Sequence, residues 1–197
     1  MNFLEQLIQL DQQASLWLNV HNPSFLDPFW LFISGVRVWF PFYGLVIVYM
    51  FWRLGWKKAL TLVAAIAITI VLTDQISYHI KEGVMRLRPC HTQWMLDGGI
   101  RLPGGVLGSL YGFFSGHASN CFAFAVFTSQ AFKKNDPHHS YKVWDWIIFI
   151  WATLIALSRI VLGAHFLGDV LVGTVFGLAV GYGMALMSRW IIVKAKL

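Results

Sequence analysis

Eight residues of this 197-residue chain have the types and spacing to handle a doubly charged anion. Lys81 and Arg88 lie seven apart, two helical turns, so both cations point one way if a helix runs on to Pro89. Ser115-Gly116-His117 reads as a helix start, where free backbone N–H groups favour negative charge. Ser158-Arg159 precedes His165, and His165 precedes Asp169 by four residues, one helical turn. At that spacing the carboxylate accepts from one imidazole nitrogen and leaves the other free. An oriented, neutral imidazole is what a nucleophile or base requires. Three cations with two histidines and one carboxylate suit a phosphate dianion rather than a neutral substrate.

The elements that must gather these residues follow from composition. Apolar residues make up 57% of the chain and charged residues 12%, against roughly 25% charged in a soluble domain. Disorder and most water-soluble folds are excluded. An all-α, integral membrane helical bundle is expected, one domain over residues 1–197. A span needs roughly 20 helical residues. Five candidates run near Phe29–Trp52, Ala59–Ile80, Gly116–Phe132, Trp144–Gly163 and Phe166–Met187. The third is short and carries Ser119, Asn120, Thr128, Ser129 and Gln130. It is kept because an even number of spans would conflict with the charge distribution described below.

Alternating span directions bring Lys81, the start of the third span, the end of the fourth and the start of the fifth to one level. Ionisable groups at membrane depth are expensive and read as functional by default. The link from residue 81 to 115 holds Pro89, Gly98-Gly99 and Pro103-Gly104-Gly105, and a connection this long is usually functional or disordered. Residues 1–20 read as an amphipathic helix lying in the interface. Phe3, Leu4, Leu7, Ile8, Leu10, Ala14, Trp17 and Leu18 share one face of it, while Asp11 and Leu16 break the pattern. It lacks a basic n-region and an A-x-A site, so it does not read as a signal peptide.

The net charge of +6 does not indicate nucleic acid, because the basic residues form no stripe between the apolar runs. It reports topology instead. Arg53, Lys57, Lys58, Lys133, Lys134, Lys142, Arg189, Lys194 and Lys196 fall on one side. Arg37, Lys81, Arg86, Arg88, Arg101 and Arg159 fall on the other. The side with the excess is expected to be cytoplasmic, which turns the long link and the candidate site outward.

Lys81-x6-Arg88-Pro89, Ser115-Gly116-His117 and Ser158-Arg159-x5-His165-x3-Asp169 resemble the three signature motifs of the type 2 phosphatidic acid phosphatase family, in order and spacing. That family also includes vanadium haloperoxidases and glucose-6-phosphatase. The one departure is Phe114, where the family usually carries proline. The resemblance implies the membrane-embedded lipid phosphatase branch, working without metal or cofactor. It implies His165 as the nucleophile, forming a phosphohistidine, and Asp169 holding the other ring nitrogen. His117 would protonate the leaving oxygen and then activate water. Lys81, Arg88, Arg159, Ser115 and the Gly116 N–H would bind the phosphate oxygens. Small bacterial members act on undecaprenyl pyrophosphate, lipid A phosphates, phosphatidylglycerol phosphate or phosphatidic acid, and the expected location is the inner membrane with the site facing the periplasm or exterior. A phosphotransferase passing the group to another lipid fits the same motifs. A catalytically silent lipid-binding or transport protein is disfavoured, because every catalytic side chain is present.

Other polar residues have plainer expectations. Arg37 and Arg101 are expected to snorkel to the headgroups, and Arg86 and Glu82 to be solvated. Asp74, inside the second span, reads equally as a buried pairing partner or a helix-packing residue. His79, His91, His138 and His139 read as interfacial or loop residues, and His138-His139 lacks further ligands of metal-site spacing. The tryptophans suit an interfacial belt, and Gly163, Gly168, Gly173, Gly177 and Gly181 suggest close helix packing. Cys90 and Cys121 are too few for a disulfide scaffold. The charge asymmetry is checked with topology reporters: a fusion after Lys134 should read cytoplasmic and one near Gly99 external, and the reverse result overturns the assignment.

Overall fold

Asn2 accepts from the Glu5 N–H at 2.8 Å while Glu5 accepts from the Asn2 N–H at 2.9 Å, so α1 (Phe3–Val20) begins at a reciprocal capping box. The chain continues through α2 (Asp27–Ser34), α3 (Phe40–Leu54), α4 (Trp56–Val84) and α5 (Gln93–Asp97). It ends with α6 (Gly116–Asn135), α7 (Lys142–Val161) and α8 (Leu167–Lys194). The computed structural model describes residues 2–105 and 108–197; Val106 and Leu107, in the long link, lie outside the described residues. The protein is an all-α membrane bundle, and among the described residues the extended pairing is one isolated bridge, Leu87 to Tyr111.

Three helices, α4, α7 and α8, are long and apolar enough to cross a bilayer. The first expected span departs from a single helix. It is broken into Ser24–Ser34 and Arg37–Leu54, bent by 66°. Gly35 at the break is extended, with φ −72° and ψ 124°. Pro41 follows in the first turn of α3 and has no N–H to continue a helical ladder. Gly55, at φ +79°, then makes the sharp turn into α4, a conformation open to glycine and costly for other residues.

The polar third segment is the central helix. α6 packs against α4, α7 and α8, and 13 of its 20 residues are buried. A helix surrounded by other helices needs no lipid-facing hydropathy. Two of its buried hydroxyls are satisfied inside the protein, Thr128 donating to the Phe124 carbonyl at 2.9 Å and Ser129 to Asp145 at 2.7 Å, while Ser119 Oγ is buried without a partner among the described residues. Towards α3 and α7 the core is aromatic, with Phe42, Tyr43, Phe124 and Trp151 in mutual contact.

The α6–α8 contact is the closest in the bundle, and glycines make it possible. A Cβ on Gly173 would stand 2.5 Å from the Ser115 carbonyl oxygen, one on Gly177 2.2 Å from that of Ser119, and one on Gly181 2.4 Å from that of Ala123. Backbone therefore lies on backbone along three turns, as the glycine spacing suggests. Gly177→Ala should cost about 1–3 kcal/mol, as overpacking does, read as a lowered Tm in detergent. Gly183 faces open space, so Gly183→Ala should be neutral or stabilising. Equal effects at the two positions would contradict the contact.

Candidate active site

α4 ends at Val84 because Met85 turns left-handed, at φ 52°. The helix thus stops short of Pro89, and Arg88 does not follow Lys81 on one helical face. It arrives instead on the extended return of the long link. Its N–H donates to the Leu110 carbonyl at 3.0 Å, and the Gly112 N–H donates to the Arg86 carbonyl at 2.8 Å. Arg88 is buried. It donates to the Ala164 carbonyl at 2.9 Å, to His165 Nε2 at 3.0 Å and to Ser109 Oγ at 3.0 Å.

These contacts define the nucleophile candidate. Guanidinium has no acceptor atom, so His165 Nε2 must hold a lone pair and the ring proton sits on Nδ1. Nδ1 faces Asp169 Oδ2 at 3.5 Å, an ion-pair distance too long for a formed hydrogen bond. Contacts of this kind tighten in the reacting complex. His165 lies in the turn between α7 and α8. Burial, and then the charges of Arg88, Arg159 and Lys81, push its pKa well below the usual imidazole value. The ring is neutral, as a nucleophile must be.

A cavity of about 730 Å³ opens beside His165. Lys81, Arg88, Gly116, His117, Arg159 and His165 line one part of it, so three helices, the link and the turn before α8 do converge. Val46, Ile47, Val63, Ile66 and Phe124 line another part and make it apolar. Lys81 reaches the start of α6, its Nζ 3.5 Å from where a Gly116 Cβ would stand. Arg159 also donates to Ser34 Oγ, a tie to the broken first span with no warning in the sequence. Ser115 and Asp169 stand behind the wall, both fully buried. The Ser115 hydroxyl, expected at the phosphate, instead accepts from the Ala118 N–H at 3.4 Å and caps α6. Its N–H donates to the Asp169 carbonyl at 3.0 Å. Phe114, in the proline position, is buried against Phe176.

Other sequence expectations are overturned as well. Arg86 is not solvated: it donates to Asp169 Oδ1 and to Asp11 Oδ2, each at 2.6 Å, and lies 4.2 Å over the Phe166 ring. Asp11 does not merely interrupt an amphipathic pattern. It, Ser15 and Asn19 form the face of α1 turned to the protein. The Gly168 N–H donates to Asp11 at 2.6 Å and the Leu167 N–H to Ser15 Oγ at 2.8 Å, so α1 caps the start of α8. Asn19 donates to the Val161 carbonyl at 2.7 Å, at the end of α7. Arg101 does not snorkel; it pairs with Asp27 and donates to the Asn22 carbonyl. The apolar end of α1 stays outward, with Phe3 and Leu4 exposed. Asp74, read as a pairing or packing residue, is exposed on the cavity wall and has no ion-pair partner among the described residues. His79, His138 and His139 are exposed, and His91 contacts the Gly108 carbonyl at 3.2 Å in the link. Among the described residues no cluster of three or more His, Cys, Asp or Glu could hold a metal ion.

Fold and site together define a polytopic helical membrane protein with a histidine–carboxylate pair and three cations at an apolar cavity. The PAP2 superfamily model matches residues 58–192, which include all eight candidate site residues. A lipid A 4'-phosphatase from Porphyromonas gingivalis is 30% identical over 194 residues, covering 95% of this chain and 79% of that protein. One from Bacteroides thetaiotaomicron is 32% identical over 185 residues, covering 91% and 76%. The fold is shared with a transmembrane PAP2-type phosphatidylglycerolphosphate phosphatase from Bacillus subtilis, at TM-score 0.74, 21% identity and 94% and 88% coverage. It is also shared with LpxE from Aquifex aeolicus, at TM-score 0.61, 22% identity and 87% and 92% coverage. The chain belongs to the PAP2 superfamily, and it is a membrane lipid phosphatase, a phosphomonoester hydrolase.

The Arg86 bridge makes a graded prediction. Arg86→Ala leaves the fully buried Asp169 carboxylate without its cation, and orphaning a buried charge costs about 3–5 kcal/mol. Asp11→Ala removes a partner that is itself partly exposed and should cost less. Both should lower kcat with little change in KM, because Asp169 would hold His165 less firmly. Wild-type Tm and kcat in Arg86→Ala would show that the bridge does not matter.

Proposed function

We propose that this enzyme removes a phosphate from lipid A at the outward face of a bacterial inner membrane, through a phosphohistidine intermediate. The observation that carries the reading is the single cavity in which His165, His117 and three cations adjoin an apolar groove. A phosphate fits the charged part and acyl chains fit the groove, which a free sugar phosphate would leave unfilled. Two relatives that match over nine-tenths of this chain are named lipid A 4'-phosphatases. That favours lipid A over undecaprenyl pyrophosphate, phosphatidylglycerol phosphate or phosphatidic acid. The outward orientation rests on the nine-to-six division of basic residues.

In this mechanism His165 Nε2 attacks phosphorus, and the bond from phosphorus to the lipid oxygen breaks. His117 gives its proton to that leaving oxygen. Asp169 faces Nδ1–H and offsets the positive charge that grows on the ring. Lys81, Arg88, Arg159 and the Gly116 N–H hold the equatorial oxygens, where transition-state charge is spread. Water then attacks the phosphohistidine, giving a proton to His117 and releasing inorganic phosphate and neutral His165. Ser115 acts by holding the start of α6, and with it Gly116 and His117.

The division of labour is tested with radiolabelled lipid A phosphate and single substitutions. His165→Ala should abolish turnover and any labelled enzyme. His117→Ala should slow turnover by roughly 10²–10⁴-fold, the usual contribution of a general acid–base. With a good leaving group, which needs no proton to depart, it should accumulate labelled enzyme that is acid-labile and base-stable. Label on His165→Ala and none on His117→Ala would reverse the roles. Among the four candidate lipids, phosphate release should be fastest from lipid A, and a clear preference for another would replace that assignment.

A further inference from the structure

Asp74 and Asn120 have no part in the steps above, yet both line the cavity. Their level in the bundle follows from the antiparallel packing of α4 on α6. Ser77 of α4 lies opposite Gly116, its Oγ 3.1 Å from where a Cβ would stand. Thr73, four residues earlier, lies opposite Asn120, four residues later, and donates to Asn120 Oδ1 at 2.6 Å. Asp74 is the neighbour of Thr73. The Asp74–Asn120 level is therefore one helical turn, about 6 Å, inside the catalytic level.

The hydrogen-bonding state of the two side chains is complementary. Asn120 Oδ1 is already engaged by Thr73, so its amide N–H groups are what it offers the cavity. Asp74 offers carboxylate oxygens, which only accept. A carboxylate on a cavity wall at membrane depth is expensive and is retained where something uses it. A donor and an acceptor at one level of the same cavity match a secondary amide, whose C=O accepts and whose N–H donates.

The geometry points to a substrate subsite: we infer that Asp74 and Asn120 bind the amide linkage of an N-acylated amino sugar whose phosphate sits at His165. This rests on the lipid A reading above and deepens it. In such a lipid the amide lies across one pyranose ring from the phosphate, a separation that matches one helical turn. Phosphatidic acid presents ester oxygens at that depth. Those are acceptors only, and they leave Asp74 facing another acceptor. The subsite therefore selects an N-acylated saccharolipid over phosphatidic acid.

The experiment uses two synthetic substrates in the same mixed micelles. Both are glucosamine-type 4-phosphates with one long acyl chain at the 2-position, joined by an amide in one and by an ester in the other. The full-length wild-type enzyme should favour the amide in kcat/KM by roughly 10–100-fold, the range for one hydrogen bond to a charged group. Asp74→Ala and Asp74→Leu should bring that ratio close to one, the second variant keeping the wall filled. A wild-type ratio near one overturns the subsite without any variant, even if both substrates are hydrolysed well. An unchanged ratio with both rates lowered in the variants also overturns it, and makes Asp74 a counter-charge for Lys81. If the wild type hydrolyses phosphatidic acid but neither sugar phosphate, the lipid A reading itself fails and the subsite with it.

Discussion

A carboxylate with no solvent exposure persists only where every oxygen has a partner, and Asp169 is such a group. Its Oδ2 takes the Phe166 N–H at 3.1 Å and faces His165, and its Oδ1 takes Arg86. Its own carbonyl takes the Ser115 N–H. Through these contacts one residue fixes the turn before α8, the start of α6, the end of the long link and, by way of Arg86, helix α1. Removing any of those elements would leave a buried charge or a buried N–H unpaired, which the low-dielectric interior penalises. The rest of the bundle is arranged so that this network stays closed.

The glycine contact serves the same end. Gly173 lies against the Ser115 carbonyl, in the very turn where Ser115 meets Asp169. A side chain there would push α6 away from α8 and carry Gly116 and His117 away from His165. Catalytic geometry and helix packing are therefore one constraint here. The close approach that lets backbones touch also sets the separation of the two histidines.

The sequence made some of this legible for identifiable reasons. Lys81, Arg88, His117, Arg159 and His165 could be grouped in advance because their spacing matches a known pattern and because charge at membrane depth needs a reason. The structure brings all five to one cavity. The central α6 was harder, since a helix wrapped by others need not look like a span. The pairing of Arg86 has no local trace because its partners, Asp11 and Asp169, lie 75 and 83 residues away. A periodic trace of the α1 contacts did exist: Asp11, Ser15 and Asn19 recur every fourth residue, so the outliers of an amphipathic pattern formed a face of their own. Asp74 was misread because depth alone cannot say whether a carboxylate meets a partner or an open cavity.

Helix α1 is made long before the groups it caps. Leu167 and Gly168 leave the ribosome 152 and 157 residues after Ser15 and Asp11 respectively. Until α8 has been threaded into the bilayer, Asp11 and Ser15 lack the N–H groups they cap, and Arg86 lacks Asp169. The nucleophile and its supports therefore come together only once α8 is in place. A nascent chain held at the translocon carries no working phosphatase among the lipids around it.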